Sequence, residues 1–332
     1  MFEHHLSSRR RVLVKSALAA GLLGLTTATR AQAAWPSRPV RLVVPYSAGG
    51  GTDAVARLIA ERITHDTKWP IVVDNKPGGA GNIGLDIVAK APADGYTLGL
   101  GQTANLAINP VAMERIPFNE RKDFVAVAAV AEVPTLLVVR QDAPWISLAD
   151  LVKAGRASGT QLKQGLAGTG TVGHLAGVML ARKAGLQVLD IPYKGAAPAI
   201  TDLLGGQTDY MFATPQAVIG MIKAGRLRAL AVTSLKRLAI FPNLPTVAES
   251  GYAGFQATDW KVLVAPAKTP PEVLQALNAA AERALSQSVT RERLAAEGSL
   301  PLGGSLEAAA RFLQTEQGRW QELIKASAIK FD

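Results

Sequence analysis

Two glycine-rich stretches hold the residues whose types and spacing best suit binding chemistry. The first is Pro45-Tyr46-Ser47-Ala48-Gly49-Gly50-Gly51-Thr52-Asp53. It follows a β-like apolar run and precedes a stretch of helical periodicity, where the unpaired N–H groups of a helix start can bind an anion. Three successive glycines let a ligand approach the backbone and permit positive φ. Thr52 or Asp53 would cap the helix, and a flexible loop with an ordinary cap accounts for the same residues. No lysine follows the glycines, so this is not a Walker A loop. Asp53-Ala54 stands where a dinucleotide fingerprint needs its last glycine. The second stretch, Ala167-Gly168-Thr169-Gly170-Thr171-Val172-Gly173-His174, repeats the strand-to-helix arrangement. Thr169 and Thr171 offer hydroxyls where Lys or Arg would add charge. His174 falls in the first helical turn, either as a packed or capping residue or as part of the site. Two such loops on separate lobes suggest a ligand held in a cleft between domains.

Other chemistry is poorly supplied. The chain has no cysteine, which excludes disulfides, thiolate metal sites and cysteine nucleophiles. Its four histidines are His4, His5, His65 and His174, and the first two fall in a segment that reads as a removable leader. A multi-histidine metal site is therefore not expected, and neither is a cofactor. A hydrolase would have to recruit Ser47 or Thr52 with His174 and Asp209, but no G-x-S-x-G elbow surrounds a serine. An oxidoreductase built on Gly49 to Gly51 would lack a complete fingerprint.

The elements that must position these loops alternate along the chain. Strands are expected at 40–44, 71–73, 96–100, 163–166, 188–193, 209–212, 228–233 and 262–265. A long β run at 125–139 is interrupted by Pro134. Residues 53–63 read as a helix with Val55, Leu58, Ile59 and Ile63 on one face. Ser147 and Asp150 form a capping box, and helices at 270–286, 289–297 and 306–326 close the chain. Repeated β-α-β alternation argues for parallel α/β sheets. A length of 332 residues suggests about two domains.

The first 33 residues read as a cleaved export signal. Arg9, Arg10, Arg11 and Lys15 precede the short apolar run 16–27, and Ala31-Gln32-Ala33 supplies an A-x-A cleavage site. The run is shorter than a membrane span requires. Ser8-Arg9-Arg10-Arg11-Val12-Leu13 approaches the twin-arginine pattern. Removing five basic residues and one acid from totals of 36 and 26 leaves a mature net charge of +6. The remaining charges are dispersed, without the basic stripe and interleaved aromatics of a nucleic-acid binder.

Taken in order, the motifs resemble the Bug-type substrate-binding receptors of tripartite tricarboxylate transporters. The resemblance runs over residues 35–325. It is carried by Trp35-Pro36-Ser37-Arg38-Pro39, the Pro45 to Asp53 loop, and Asn75-Lys76-Pro77-Gly78-Gly79-Ala80-Gly81-Asn82-Ile83-Gly84. Asp94-Gly95-Tyr96-Thr97-Leu98, the Gly168 to Leu175 turn and Ile191-Pro192-Tyr193-Lys194-Gly195 continue it. Asp202 to Gln207 and Lys223 to Thr233 complete it.

The resemblance implies an α/β, two-lobed periplasmic binding protein fold of Venus-flytrap type, with a ligand cleft between the lobes. It implies one lobe from 34–136 and 254–332, a second from 137–253, and no catalytic residues. The family's binding loops map onto Tyr46, Ser47, Ala48, Gly49, Gly50, Gly51, Thr52 and Asp53, then Gln102 and Thr103, then Gly168, Thr169, Gly170, Thr171 and His174, with Tyr193 nearby and Thr214 added. The implied ligand is a small carboxylate held by backbone amides, hydroxyls and waters. The implied partners are the membrane subunits of a tripartite transporter, or a sensor kinase ectodomain if the receptor serves signalling. Many relatives carry an acid after the segment corresponding to Tyr210-Met211-Phe212, where this chain has Ala213-Thr214-Pro215. That departure favours a mono- or dicarboxylate or an aromatic acid over an amino acid, unless Asp53 or Asp209 substitutes.

Overall fold

The computed structural model describes residues 35–327 apart from 158, 160 and 194. The expected signal segment and its cleavage site lie outside the described residues. Residues from Arg38 onward form one compact unit.

The first half of the chain lays down β1 (Val40–Val44), α1 (Gly51–Thr67), β2 (Ile71–Asn75), α2 (Asn82–Ala89), β3 (Thr97–Gln102), the short α3 (Asn109–Ala112) and β4 (Phe124–Pro134). Then come β5 (Leu136–Arg140), α4 (Leu148–Gly155), β6 (Leu162–Leu166), α5 (Val172–Ala184), β7 (Val188–Pro192), α6 (Ala196–Leu204), β8 (Tyr210–Ala213), α7 (Pro215–Lys223) and β9 (Leu227–Val232). The chain returns through β10 (Thr258–Pro266), α8 (Pro271–Ser286), α9 (Ser288–Ala296), β11 (Leu300–Pro301) and α10 (Leu306–Ser327).

These strands form two sheets, ordered β11-β4-β10-β3-β1-β2 and β7-β6-β8-β5-β9. Neither is wholly parallel, which corrects the expectation from alternation. β1 pairs in parallel with β2 and β3, while β10 runs antiparallel to both β3 and β4. In the second sheet β6 is parallel to β7 and β8, and β5 is antiparallel to β8 and β9. The reason is connectivity. A β-α-β crossover forces parallel neighbours only where one helix joins them, whereas β4 and β10 are separated in sequence by the entire second sheet.

The long β run divides at Thr135, the single residue between β4 in one sheet and β5 in the other. The return path crosses beside it. Thr233 Oγ1 accepts from Thr135 N at 2.9 Å and donates to Ala257 O at 2.6 Å, all in a buried setting. Three distant segments are thus tied at one point.

Helix α1 buries Val55, Leu58, Ile59 and Ile63 as their spacing requires. It begins two residues before the expected start and ends at Thr67, where Lys68 adopts a left-handed conformation. The capping box holds: Ser147 Oγ accepts from Asp150 N, and the Asp150 carboxylate accepts from Ser147 N. Behind the first sheet Trp260 is wholly buried, edge-on to Phe312 with ring centroids 6.0 Å apart.

Candidate functional site

The first glycine loop leaves β1 through buried Pro45 and enters α1 with Gly50 as its N-cap. Neither Thr52 nor Asp53 caps the helix, contrary to expectation. Thr52 Oγ1 donates instead to Gln102 Oε1 at 2.7 Å. Asp53, only 3% exposed, reaches back and accepts from Gly49 N at 2.8 Å. It also accepts from Arg57 Nε and Asn75 Nδ2, each at 2.9 Å. Burial pushes the Asp53 carboxyl up, but these hydrogen bonds and the Arg57 charge outweigh it and hold the group below the usual carboxylate range. Asp53 is therefore an internal anion that shapes the loop.

Tyr46 bridges this loop to a third one. Its hydroxyl donates to Ala80 O at 3.2 Å and accepts from Asn105 Nδ2 at 3.3 Å. Burial, followed by the nearby Asp259 charge, pushes its ionisation far above the ordinary tyrosine value, so the phenol keeps its proton. Gly81 makes room for it: with φ +90, a Cβ built there would stand 2.6 Å from the Tyr46 hydroxyl.

The second glycine loop joins β6 to α5. Thr171 is the N-cap, its Oγ1 accepting from His174 N at 3.3 Å and donating to Gly168 O at 2.9 Å. Both contacts are internal, so this hydroxyl shapes the turn. His174 is 7% exposed. Its Nδ1 accepts from Gly170 N at 3.2 Å, and its Nε2 lies 3.3 Å from Asp190 Oδ2. With both ring nitrogens so placed, His174 pairs with Asp190 and not with Asp209, whose carboxylate accepts from Lys163 N at 2.7 Å. The geometry of a Ser47–His174–Asp209 hydrolase is absent from the described residues. Close packing seats α5 on the sheet: a Cβ at Gly173 would stand 2.4 Å from Phe212 O.

Between the two loops lies a cavity of about 370 Å³. Tyr46, Gly51, Thr52, Ala80 and Gln102 line it from the first sheet's side, and the second glycine loop with Phe212, Ala213, Thr214 and Gln216 from the other. Asp259 and Lys261 on β10 lie in its wall, with Lys261 Nζ 2.8 Å from Asp259 Oδ2. Gln216 spans toward the opposite side, its Nε2 donating to Ser299 Oγ at 3.0 Å. Gly51 and Thr52 stand at the start of α1, and Val172 and Gly173 at the start of α5. Their N–H groups have no acceptor within the helix. Two positive helix ends thus meet in one space.

Of the residues expected at the site, Tyr46, Gly51, Thr52, Gln102, Gly168, Thr169, Gly170, Thr171 and Thr214 line this cavity. Gly49 and Gly50 line a neighbouring recess of about 920 Å³ formed with α6 and α7. Ser47 and Ala48 are exposed and line neither space. Asp53 and His174 stand behind the loops. Thr103 is fully buried, its Oγ1 accepting from Trp260 N at 2.8 Å. Tyr193 donates to Asp202 Oδ2 at 2.7 Å, and burial together with that carboxylate pushes its hydroxyl up to about 12. Sequence reasoning misses Ala80 as a lining residue, although its motif stands out, and misses Asp259 and Lys261 altogether. Neither Asp53 nor Asp209 enters the cavity; the acid that does is Asp259. Among the described residues no group of three or more His, Cys, Asp or Glu is placed to hold a metal.

Known proteins share this arrangement. A protein of Pseudomonas sp. (strain P51) from the tcbD–tcbE intergenic region is 40% identical over 319 residues, covering 95% of this chain and 94% of that protein. An R. palustris protein solved with adipate superposes with a TM-score of 0.83 at 36% identity, covering 89% of this chain and 99% of that one. MatC from Rhodopseudomonas palustris, solved with bound malate, gives 0.77 at 32% identity, covering 87% and 100%. The fold is thus the two-lobed binding-protein fold that the motifs implied. The family model described as tripartite tricarboxylate transporter family receptor matches residues 55–329, and the chain belongs to that family.

Proposed function

We propose that this protein is a periplasmic receptor that captures one small carboxylate between its lobes and delivers it unchanged to the membrane subunits of a tripartite transporter. The observation that carries the reading is the cavity between two strand-to-helix loops, each at a helix start. Backbone N–H groups at such ends suit ionised oxygens. Among the described residues the cation in the wall is Lys261, and Asp259 already matches it. The net field offered to a solute therefore comes from the helix ends. Adipate and malate in the two solved relatives support the same solute class. We assign 34–136 with 254–332 to one lobe and 137–253 to the other, hinged where Thr135, Thr233 and Ala257 meet.

A melting screen tests the reading. A ligand that binds only the folded state stabilises it by about 2.7 kcal/mol at 100 times its dissociation constant, a shift of several degrees for a chain of this size. Protein unfolded and refolded to remove carried-over solute should respond to one or a few carboxylates and not to their amides. Amino acids should rank below plain acids, because Lys261 repels a second ammonium. The solute should be recovered unchanged after long incubation. Response to NAD or ATP with none to any carboxylate would defeat the proposal, and conversion of the solute would move the protein to an enzyme class.

A further inference from the structure

The helix ends leave one part of the cavity wall unexplained. Asp259 and Lys261 stand two residues apart on β10, so their side chains leave the same face of the sheet, and both line the cavity. Lys261 is 2% exposed, and one of its three ammonium donors goes to Asp259 Oδ2 at 2.8 Å. The other carboxylate oxygen, Asp259 Oδ1, is buried and accepts no hydrogen bond. A buried carboxylate oxygen without a donor is costly. Gln216 Oε1, also in this wall, is likewise unpartnered, but an amide can exchange O and N by a half turn. Asp259 offers an acceptor in either orientation. The wall therefore presents donors and an acceptor side by side, with no net charge.

We propose that the Asp259–Lys261 pair reads a hydroxyl on the ligand, so that the solute is a hydroxycarboxylate. The inference rests on the carboxylate reading above. A second carboxylate placed against the pair would gain Lys261 but face the Asp259 charge, and an ammonium would meet the reverse. A hydroxyl accepts from Lys261 Nζ and donates to Asp259 Oδ1 together, and leaves the ion pair intact. A ligand lacking it strands the acceptor, which is how a polar site rejects an apolar analogue.

The test uses acids that differ by one hydroxyl: succinate against both malate enantiomers, propanoate against lactate, and phenylacetate against mandelate. Each is titrated calorimetrically into stripped, refolded protein. The hydroxy acid of at least one pair should bind about tenfold tighter or more. In a double variant, Asp259→Ala with Lys261→Met, which leaves no lone buried ion, that ratio should fall to about twofold or less. Equal or tighter binding of the plain acid in every pair that binds, or a ratio that survives in a folded double variant, would overturn the inference alone. Binding of no acid at all would remove the carboxylate reading and this inference with it. Should the double variant not fold, a crystal structure of the wild type with the preferred hydroxy acid decides. Its hydroxyl must lie within hydrogen-bond distance of Asp259 Oδ1, and a hydroxyl placed elsewhere would refute the assignment.

Discussion

Replacing Gly173 by alanine would test whether backbone contact sets the second wall of the cavity. Gly173 lies in the first turn of α5, and a Cβ there would stand 2.4 Å from Phe212 O on β8. Ordinary contact begins at 3.4 Å, so helix and strand must part by about 1 Å. The obstructing atom belongs to the backbone of a buried strand and cannot rotate aside as a side chain would. Overpacking of this kind costs about 1–3 kcal/mol. Alanine's better helix propensity, at most about 1 kcal/mol, opposes it. We expect a net loss of about 1–2 kcal/mol, read as a fall of roughly 2–6 °C in the melting midpoint by circular dichroism. Because α5 carries the Gly168 to Thr171 turn, affinity for whichever carboxylate shifts the melt should also fall, by about tenfold or 1.4 kcal/mol. Gly220→Ala in α7 is the control. Nothing lies within 4 Å of the added Cβ, so it should be neutral or stabilising by up to about 1 kcal/mol. The two variants have opposite expected signs. If Gly173→Ala melts at or above the wild type and binds unchanged, close packing of α5 on β8 does not set the wall.

The same geometry gives three further expected outcomes. Thr171→Val removes the cap of α5 and the Gly168 O bond, and should cost about 1–2 kcal/mol in chemical unfolding, while Thr171→Ser should stay near wild type. Asp53, held below the usual range, stabilises the fold above its unfolded value of about 3.9 and loses that contribution as pH falls through the folded value. Urea midpoints at pH 7 and pH 3 should therefore differ less in Asp53→Asn than in wild type, and an equal difference would contradict the assignment. Glu132 is pushed up, by burial first and then by the Glu316 charge, so its ionised form opposes folding at neutral pH and ceases to as pH drops toward the unfolded value. Glu132→Gln should raise the thermal midpoint at pH 7 and give no gain at pH 4.

Features that depend on neighbours along the chain are legible in the residues alone. The periodicity of Val55, Leu58, Ile59 and Ile63 specifies the buried face of α1, and Ser147 with Asp150 specifies the start of α4, because burial period and capping bonds act within a few residues. Pro134 marks the break in the long β run, though not that the break divides two sheets. The glycine loops are legible for the same local reason: strand, glycines and helix start are consecutive. Whether a polar side chain in those loops faces a solute or the protein is not. Asp53 is taken up by Gly49, Arg57 and Asn75, and His174 by Gly170 and Asp190, and two of these partners lie on other elements. Asp259 and Lys261 carry no local signal at all, since they read as two charges at the edge of a β run. They enter the cavity because β10 pairs antiparallel with β3 and β4, setting Lys261 opposite Gln102 and Asp259 opposite Val133. That register joins segments separated by the whole second sheet. It is settled in three dimensions, because the hydrophobic burial that selects the pairing is shared among residues far apart in the chain.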